Sequence, residues 1–223
     1  MSQSIEVIVC EGILCADFNE GRLVIDTGSP VSLGPNIAVK ILGAGVQLNP
    51  GFGNYTWESV RQSLPFDAVG LVGVDAFSSS TIGFDIGNQI LTRIDTPIDG
   101  SPAPFSMGSP VIECSIGEEM LRCVLDTGSG LSYLRDSNLV TLGQMLGKRT
   151  DSHPMLGEFE VDTVACSLMV GGKVITEVFG LAPDNLIALL ENARIDGILG
   201  TSFFAQGVIE VDFAKEIVGL SME

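Results

Sequence analysis

Positive charge is scarce in this chain of 223 residues, which has 11 lysine and arginine residues against 28 aspartate and glutamate residues and a net charge of −17. Nucleic acids and anionic membranes bind proteins largely through positive charge, so we expect neither as a partner. An excess of acidic residues is typical of a well-solvated protein surface. The more specific alternative interpretation is an enzyme adapted to acidic conditions. No apolar run in the sequence reaches the length that crosses a bilayer.

Targeting and metal-binding signals are also missing. Residues 1–20 lack the basic start of a signal peptide and contain four acidic residues, which predicts a cytoplasmic location. The five cysteines include no metal-type pair of CxxC motifs, so we expect no metal, no cofactor and reduced thiols. A hairpin turning at residues 118–119 would place Cys114 opposite Cys123, which leaves a disulfide open as the alternative. The single histidine, His153, is interpreted as solvent-exposed rather than catalytic.

One short motif occurs twice in the chain. Residues 23–29 read LVIDTGS and residues 123–129 read CVLDTGS, so the two aspartates are 100 positions apart (126 − 26). Each copy is followed by a second match, GLVG at residues 70–73 and GILG at residues 197–200. Repetition of both order and spacing indicates an internal duplication of one structural unit.

These paired motifs resemble those of the aspartic proteases. One such unit per chain is typical of retropepsins, which dimerise, and two units are typical of pepsins; this chain is similar to a retropepsin dimer fused into one polypeptide, or to a minimal pepsin homologue. The resemblance implies an all-β, bilobal fold of two retropepsin-like β-barrel lobes with pseudo-twofold symmetry and a few short helices. The lobes are predicted at residues 1–94 and 108–223, with a proline-rich linker at 95–107.

The resemblance also implies a catalytic pair, Asp26 and Asp126. Two carboxyl groups that share one proton can activate a water and protonate the substrate. The residues that follow each aspartate would support the pair through hydrogen bonds across the symmetry axis, close backbone approach and hydroxyl donation, and they are Thr27, Gly28, Ser29, Thr127, Gly128 and Ser129. If the two serine hydroxyls donate to the carboxylates, they lower the pKa of the pair and place the pH optimum below neutrality.

The predicted function is therefore that of an aspartic endopeptidase acting on peptides or unfolded proteins, active as a monomer because both aspartates lie on one chain. A non-catalytic peptide-binding protein that retains this fold is the alternative, and processing of its own chain alone is a third. A single Asp-Thr-Gly is usually a simple turn, but here all eight residues of the two Asp-Thr-Gly-Ser copies are intact.

A cleft in this family is covered by a hairpin flap, and two segments are candidates. Residues 51–55 include Phe52 and Tyr55, which we predict as substrate-binding residues, although packing roles or an ordinary surface loop are equally open. Residues 154–157 hold the corresponding position in the second unit, and we expect this unit to supply the larger cover. It has 27 more residues between aspartate and glycine motif (74 − 47), which we assign to an added hairpin mostly between residues 150 and 183.

Local patterns predict several further elements. Short helices are expected at residues 35–43, where a proline precedes and a glycine ends the segment, at residues 139–146 and at residues 185–193. The two glycines at 171–172 predict a tight turn between two strands.

Overall fold

The computed structural model describes residues 3–106, 108–153 and 157–222, and these residues are predominantly β-strand. The prediction of an all-β fold is confirmed in this respect. The strands before residue 95 are β1 Gln3–Glu6, β2 Ile8–Cys10, β3 Ile13–Phe18, β4 Gly21–Ile25, β5 Ala38–Ile41, β6 Ala44–Gln47, β7 Gly51–Phe52, β8 Tyr55–Thr56, β9 Gly70–Val72, β10 Thr81–Asp85 and β11 Ile90–Ile94. Helix α1 spans Trp57–Ser63, and a 3-10 helix spans Val74–Ala76.

The strands after residue 95 are longer on average. They are β12 Ser101–Pro102, β13 Phe105–Ser106, β14 Ser109–Ile116, β15 Glu119–Leu125, β16 Ser132–Leu134, β17 Gln144–His153, β18 Gly157–Val170, β19 Lys173–Leu181, β20 Gly197–Leu199, β21 Gly207–Asp212 and β22 Ile217–Met222. The helices are α2 Asp184–Ala193, α3 Thr201–Phe204 and a 3-10 helix Ser137–Leu142. No helix in the described ranges has both the length and the apolar character to cross a bilayer.

The two motif strands occupy equivalent places in two different sheets. Strand β4 lies between β3 and β9 and pairs in parallel with β9, while β15 lies between β14 and β20 and pairs in parallel with β20. The apolar residues that precede Asp26 are almost completely buried, as expected for a strand covered on both faces. The parallel pairing therefore places each glycine motif beside an aspartate motif.

A six-stranded sheet joins the two halves of the chain. Its order is β1-β11-β10-β21-β22-β12, so the central pair, β10 and β21, contains one strand from each half. Phe84 on β10 packs against Phe204 with ring centroids 5.3 Å apart, and one buried apolar cluster includes residues of both halves. The segment predicted as a linker, residues 95–107, contributes β12 to the edge of this sheet and β13 to the sheet of the second half.

Several local predictions can be compared directly with the elements. Helix α2 confirms the helix expected at 185–193, and Gly171 and Gly172, with φ of 56° and 77°, form the predicted turn between β18 and β19. The added segment of the second half is a three-stranded antiparallel extension, β17–β19, which is longer than the predicted hairpin.

Two predicted helices are wrong. Residues 35–43 form β5 and the turn to β6, because Leu42 and Gly43 adopt positive φ angles of 45° and 80° that end a helix and suit a hairpin turn. Residues 139–146 divide between a 3-10 helix that ends at Leu142 and strand β17, which begins at Gln144 and pairs with β18. Tertiary strand pairing outweighs local helix propensity at both places.

The five cysteines are free thiols. Cys114 and Cys123 lie on the paired strands β14 and β15, and both are buried. The prediction that they lie opposite each other is wrong, because the hairpin turns at residues 117–118 and its register pairs Cys114 with Leu121 and Cys123 with Ile112. Their sulfur atoms are 3.6 Å apart, well beyond the length of a disulfide bond.

Candidate functional site

Asp26 and Asp126 lie at the carboxyl ends of β4 and β15. The backbone N–H of Asp26 donates to the carbonyl oxygen of Val72 at 2.9 Å, and that of Asp126 donates to Leu199 at 3.0 Å. Because Val72 and Leu199 belong to the glycine motifs, each glycine-motif strand holds one aspartate loop in place through this hydrogen bond.

The two aspartates meet. Their carboxyl groups are hydrogen-bonded to each other, and both residues are partly exposed. Burial raises the pKa of Asp26 well above its ordinary value, the charge and hydrogen bond of Asp126 raise it further, and the N–H groups of Gly28 and Ser29 oppose the shift. Two carboxyl groups that hydrogen-bond to each other resist double ionisation, and such groups titrate as a pair.

The two motif glycines allow this approach. A Cβ on Gly28 would lie 2.4 Å from Cγ of Asp126, and a Cβ on Gly128 would lie 2.4 Å from Cγ of Asp26. Each glycine N–H also donates to Oδ1 of its own aspartate, at 2.8 Å for Gly28 and 2.9 Å for Gly128. Only glycine fits at these positions, because any larger side chain would overlap the opposite carboxyl group.

Two fully buried threonines link the loops. Thr27 Oγ1 donates to the carbonyl oxygen of Leu125 at 2.8 Å, and Thr127 Oγ1 donates to that of Ile25 at 2.7 Å. In turn Thr27 N donates to Thr127 Oγ1 at 3.1 Å, and Thr127 N donates to Thr27 Oγ1 at 3.0 Å. These four reciprocal hydrogen bonds in a buried environment hold the two halves in register beneath the carboxyl groups.

The serines make a different contact from the predicted one. Ser29 Oγ donates to the carbonyl oxygen of Val31 at 2.8 Å, and Ser129 Oγ donates to that of Leu131 at 2.6 Å. A hydroxyl has one proton, so neither is available to a carboxylate. The prediction that the hydroxyls donate to the aspartates is wrong, because each hydroxyl bonds instead to a backbone acceptor two residues away. Ser29 supplies its backbone N–H, 2.9 Å from Asp26 Oδ1.

A cavity of about 280 Å³ lies over the carboxyl pair. Its walls are largely apolar and repeat the duplication: Leu33 and Leu71 line it from the first half, and their equivalents Tyr133 and Ile198 line it from the second. A larger open cleft of about 720 Å³ lies between the 99–104 segment and β14. The aspartate motifs do not line that cleft, so the smaller cavity is the candidate site.

Phe52 and Tyr55 both line the candidate cavity. They face each other across the two-residue strands β7 and β8, and their side chains are 52% and 37% exposed. Trp57, by contrast, is 7% exposed in the apolar cluster around α1, which is a packing role.

The long strands of the second half also contribute to the cavity. Strands β17 and β18 form a long antiparallel hairpin whose residues Asp151 and Phe159 line the cavity. Tyr133 Oη donates to Asp151 Oδ2 and so ties this hairpin to β16. The predicted flap segment 154–157 falls largely outside the described residues, as does the side chain of His153.

Sequence reasoning missed Tyr133, Asp151, Phe159, Leu186 and Ile198 as cavity residues. Tyr133 stands 100 positions after Leu33 (133 − 33) and occupies the same place in its half, but the repeat gave no signal because Leu33 was not predicted as a cavity residue either. Asp151 and Phe159 gave no signal either. Within the described part of the chain, no group of three or more histidine, cysteine or acidic residues is arranged to hold a metal ion.

Comparison with known proteins adds no family to these observations. No model of a protein family matches the sequence, and no significant match is found among curated proteins.

Proposed function

We propose that this chain is an aspartic endopeptidase with a bilobal, pepsin-like fold, in which two retropepsin-like lobes are related by a pseudo-twofold axis through the carboxyl pair. One observation carries the proposal: equivalent loops of a duplicated unit bring Asp26 and Asp126 into a mutual hydrogen bond. The reciprocal threonine bonds and the two glycine contacts support it, because they fix both carboxyl groups on one axis.

The proposed reaction needs one shared proton on the pair, as in pepsin, the best-known example of such an arrangement. The ionised carboxylate takes a proton from a water molecule, whose oxygen attacks the carbonyl carbon of the peptide. The protonated carboxyl group donates its proton to the carbonyl oxygen. The C–N bond then breaks as the carboxyl group that took the proton of water gives it to the amide nitrogen. At the same time a hydroxyl of the tetrahedral intermediate returns its proton to the other carboxylate, so the pair again holds one proton.

The proposed substrates are extended peptides with apolar side chains on both sides of the cleaved bond. Apolar side chains line the cavity from each half, and an extended peptide is able to pair its backbone with strand edges. Cover would come from β17–β18 above and from β7–β8 on the opposite side.

The test is cleavage of a peptide library and a denatured protein by the wild type, Asp26→Asn and Asp126→Asn, from acid to neutral pH. Asp67→Asn is the matched control, since the Asp67 side chain is fully exposed and outside the cavity. We expect cleavage by the wild type and the control, and none by the two site variants. Equal cleavage by all four proteins indicates a contaminating protease. Peptide binding without cleavage supports the non-catalytic alternative.

A further inference from the structure

Glu177 is a buried carboxylate that the proposed mechanism does not use. It lies on β19, 1% exposed, and three polar side chains donate to it: Ser132 Oγ at 2.7 Å, Ser202 Oγ at 2.6 Å and Gln206 Nε2. Burial raises the pKa of Glu177, and the three donated hydrogen bonds oppose that rise. Burying a carboxylate is costly, so a site that supplies three donors for one carboxylate calls for an explanation.

Ser132 connects this carboxylate to the second aspartate loop. Its Oγ donates to Glu177 and also accepts the N–H of Gly200 at 2.9 Å. Gly200 follows Leu199, whose carbonyl oxygen accepts the N–H of Asp126. The next residue, Thr201, holds the same loop twice, through its N–H to the carbonyl oxygen of Ser129 and through its Oγ1 to that of Thr127, both at 2.9 Å. Glu177 is therefore connected to the Asp126 loop through Ser132 and Gly200.

In the first half a different acidic residue accepts the hydrogen bond of the equivalent serine. Ser32, the equivalent of Ser132, donates to Asp75 Oδ1 at 2.6 Å and accepts the N–H of Gly73 at 3.0 Å. Asp75 stands two residues after Gly73, and the residue two positions after Gly200 is Ser202. The second half thus lacks the acid at that position. There the carboxylate comes from β19, and Ser202 donates to it.

We propose that Glu177 is a positioning residue for Asp126. It has the place that Asp75 has in the first half, but it lies on a strand of the added β17–β19 extension and not in the loop after the glycine motif. This inference rests on the proposed function for its effect on catalysis. It follows that the extension has a second role besides covering the cavity, since it anchors one of the two catalytic loops.

The test removes the carboxylate from residue 177 and places one at residue 202, the loop position that corresponds to Asp75. Glu177→Ala removes the anchor, and Ser202→Asp in that background places an acid where the first half has one. We expect Glu177→Ala to lower kcat by about 10- to 100-fold with little change in KM, as for loss of a residue that orients a reacting group, and we expect the double variant to recover most of kcat. Glu119→Ala, at an exposed hairpin end, is the matched control and should behave as the wild type.

A second pair of variants guards against a failure to fold. Ser132→Ala cuts the link between Glu177 and the loop while the carboxylate stays in place, and Ser32→Ala is its counterpart in the first half. Thermal unfolding separates lost stability from lost kcat. Should Glu177→Ala not fold, Ser132→Ala decides: a folded Ser132→Ala protein with wild-type kcat overturns the proposal, as does a folded Glu177→Ala protein with wild-type kcat.

A measurement independent of proteolysis distinguishes this inference from the proposed function. Carbon-13 NMR of labelled aspartate carboxyl groups follows the coupled titration of Asp26 and Asp126 in the wild type and in the variants. If the wild type cleaves no peptide, the proposed function fails, yet loss of the coupling in a folded Glu177→Ala or Ser132→Ala protein still supports positioning. Unchanged coupling in both folded variants contradicts it.

Discussion

Asp26 illustrates how a site residue can oppose the stability of its own fold. Its pKa is raised in the folded state, first by burial and then by Asp126, so the folded protein keeps this proton up to a higher pH than the unfolded chain does. The contribution of this group to stability is fully present below the unfolded pKa, about 3.9 for aspartate, and is lost as the pH rises through the folded pKa.

Replacing Asp26 by asparagine should therefore stabilise the protein at neutral pH. The asparagine side chain carries no charge and keeps an oxygen to accept the N–H groups of Gly28 and Ser29. We therefore expect the free energy of unfolding at pH 7 to exceed that of the wild type, by about 1.4 kcal/mol for each unit by which folding raises the pKa of Asp26. Urea unfolding over a pH series measures this. The difference from the wild type should vanish below about pH 4, and a difference independent of pH would contradict the explanation.

For Ser29 we predict that removing the hydroxyl leaves the pH dependence of activity unchanged. Its hydroxyl donates to the Val31 carbonyl oxygen, while the contact with Asp26 is made by the backbone N–H, which every residue except proline retains. We expect Ser29→Ala to leave both limbs of the kcat/KM profile against pH within about 0.3 pH units of the wild type, because any hydroxyl effect on a carboxylate is absent. A clear upward shift of either limb would show that the hydroxyl turns toward the pair.

At the scale of elements, the β17–β18 hairpin is held over the cavity by a contact that the first half does not repeat. Tyr133 ties β16 to β17 through Asp151, whereas its equivalent Leu33 has no polar group. Burial raises the pKa of Tyr133, and the charge of Asp151 raises it further, so the phenol remains a hydrogen-bond donor at neutral pH.

Removing that hydroxyl should loosen the cover. Hydrogen bonds to charged groups contribute about 1.5 kcal/mol, so for Tyr133→Phe we expect KM for peptides to rise by roughly tenfold and the amides of β17 to exchange faster with deuterium. Tyr55→Phe is the matched control, since Tyr55 also lines the cavity. Equal changes in both variants would point to a general loss of cavity polarity instead of a loosened hairpin.

The elements also show what the sequence could predict. The turn at Gly171–Gly172 and the helix at residues 185–193 depend on local sequence, and both predictions were confirmed. At residues 35–43 the proline and glycine were interpreted as helix boundaries, although the same residues serve a hairpin, and only pairing with β6 decides between them. The meeting of Asp26 and Asp126 followed from symmetry, but Glu177 could not be found, because its partners lie far apart in the sequence and come together only through strand pairing.

At the scale of the whole molecule, both aspartates and the hydrogen bonds described between their loops belong to one chain. We expect specific activity to be independent of protein concentration, because dilution cannot separate two aspartates that lie on the same chain. Progress curves over a roughly hundredfold dilution series, beside sedimentation at the same concentrations, measure this. A steep fall in specific activity on dilution would mean that the site forms between chains.

The central pair of the six-stranded sheet joins residues that are far apart in the sequence, since Thr81 lies opposite Asp212. A ribosome makes the first aspartate loop early, but β20, which fixes Asp126, and β21, which pairs with β10, come near the end of this sequence. The nascent chain therefore carries half a site for most of the time that this stretch is being made. We expect the growing polypeptide to be unable to carry out the proposed cleavage of itself or its neighbours until both strands have been translated, so the order of synthesis would delay the proposed activity.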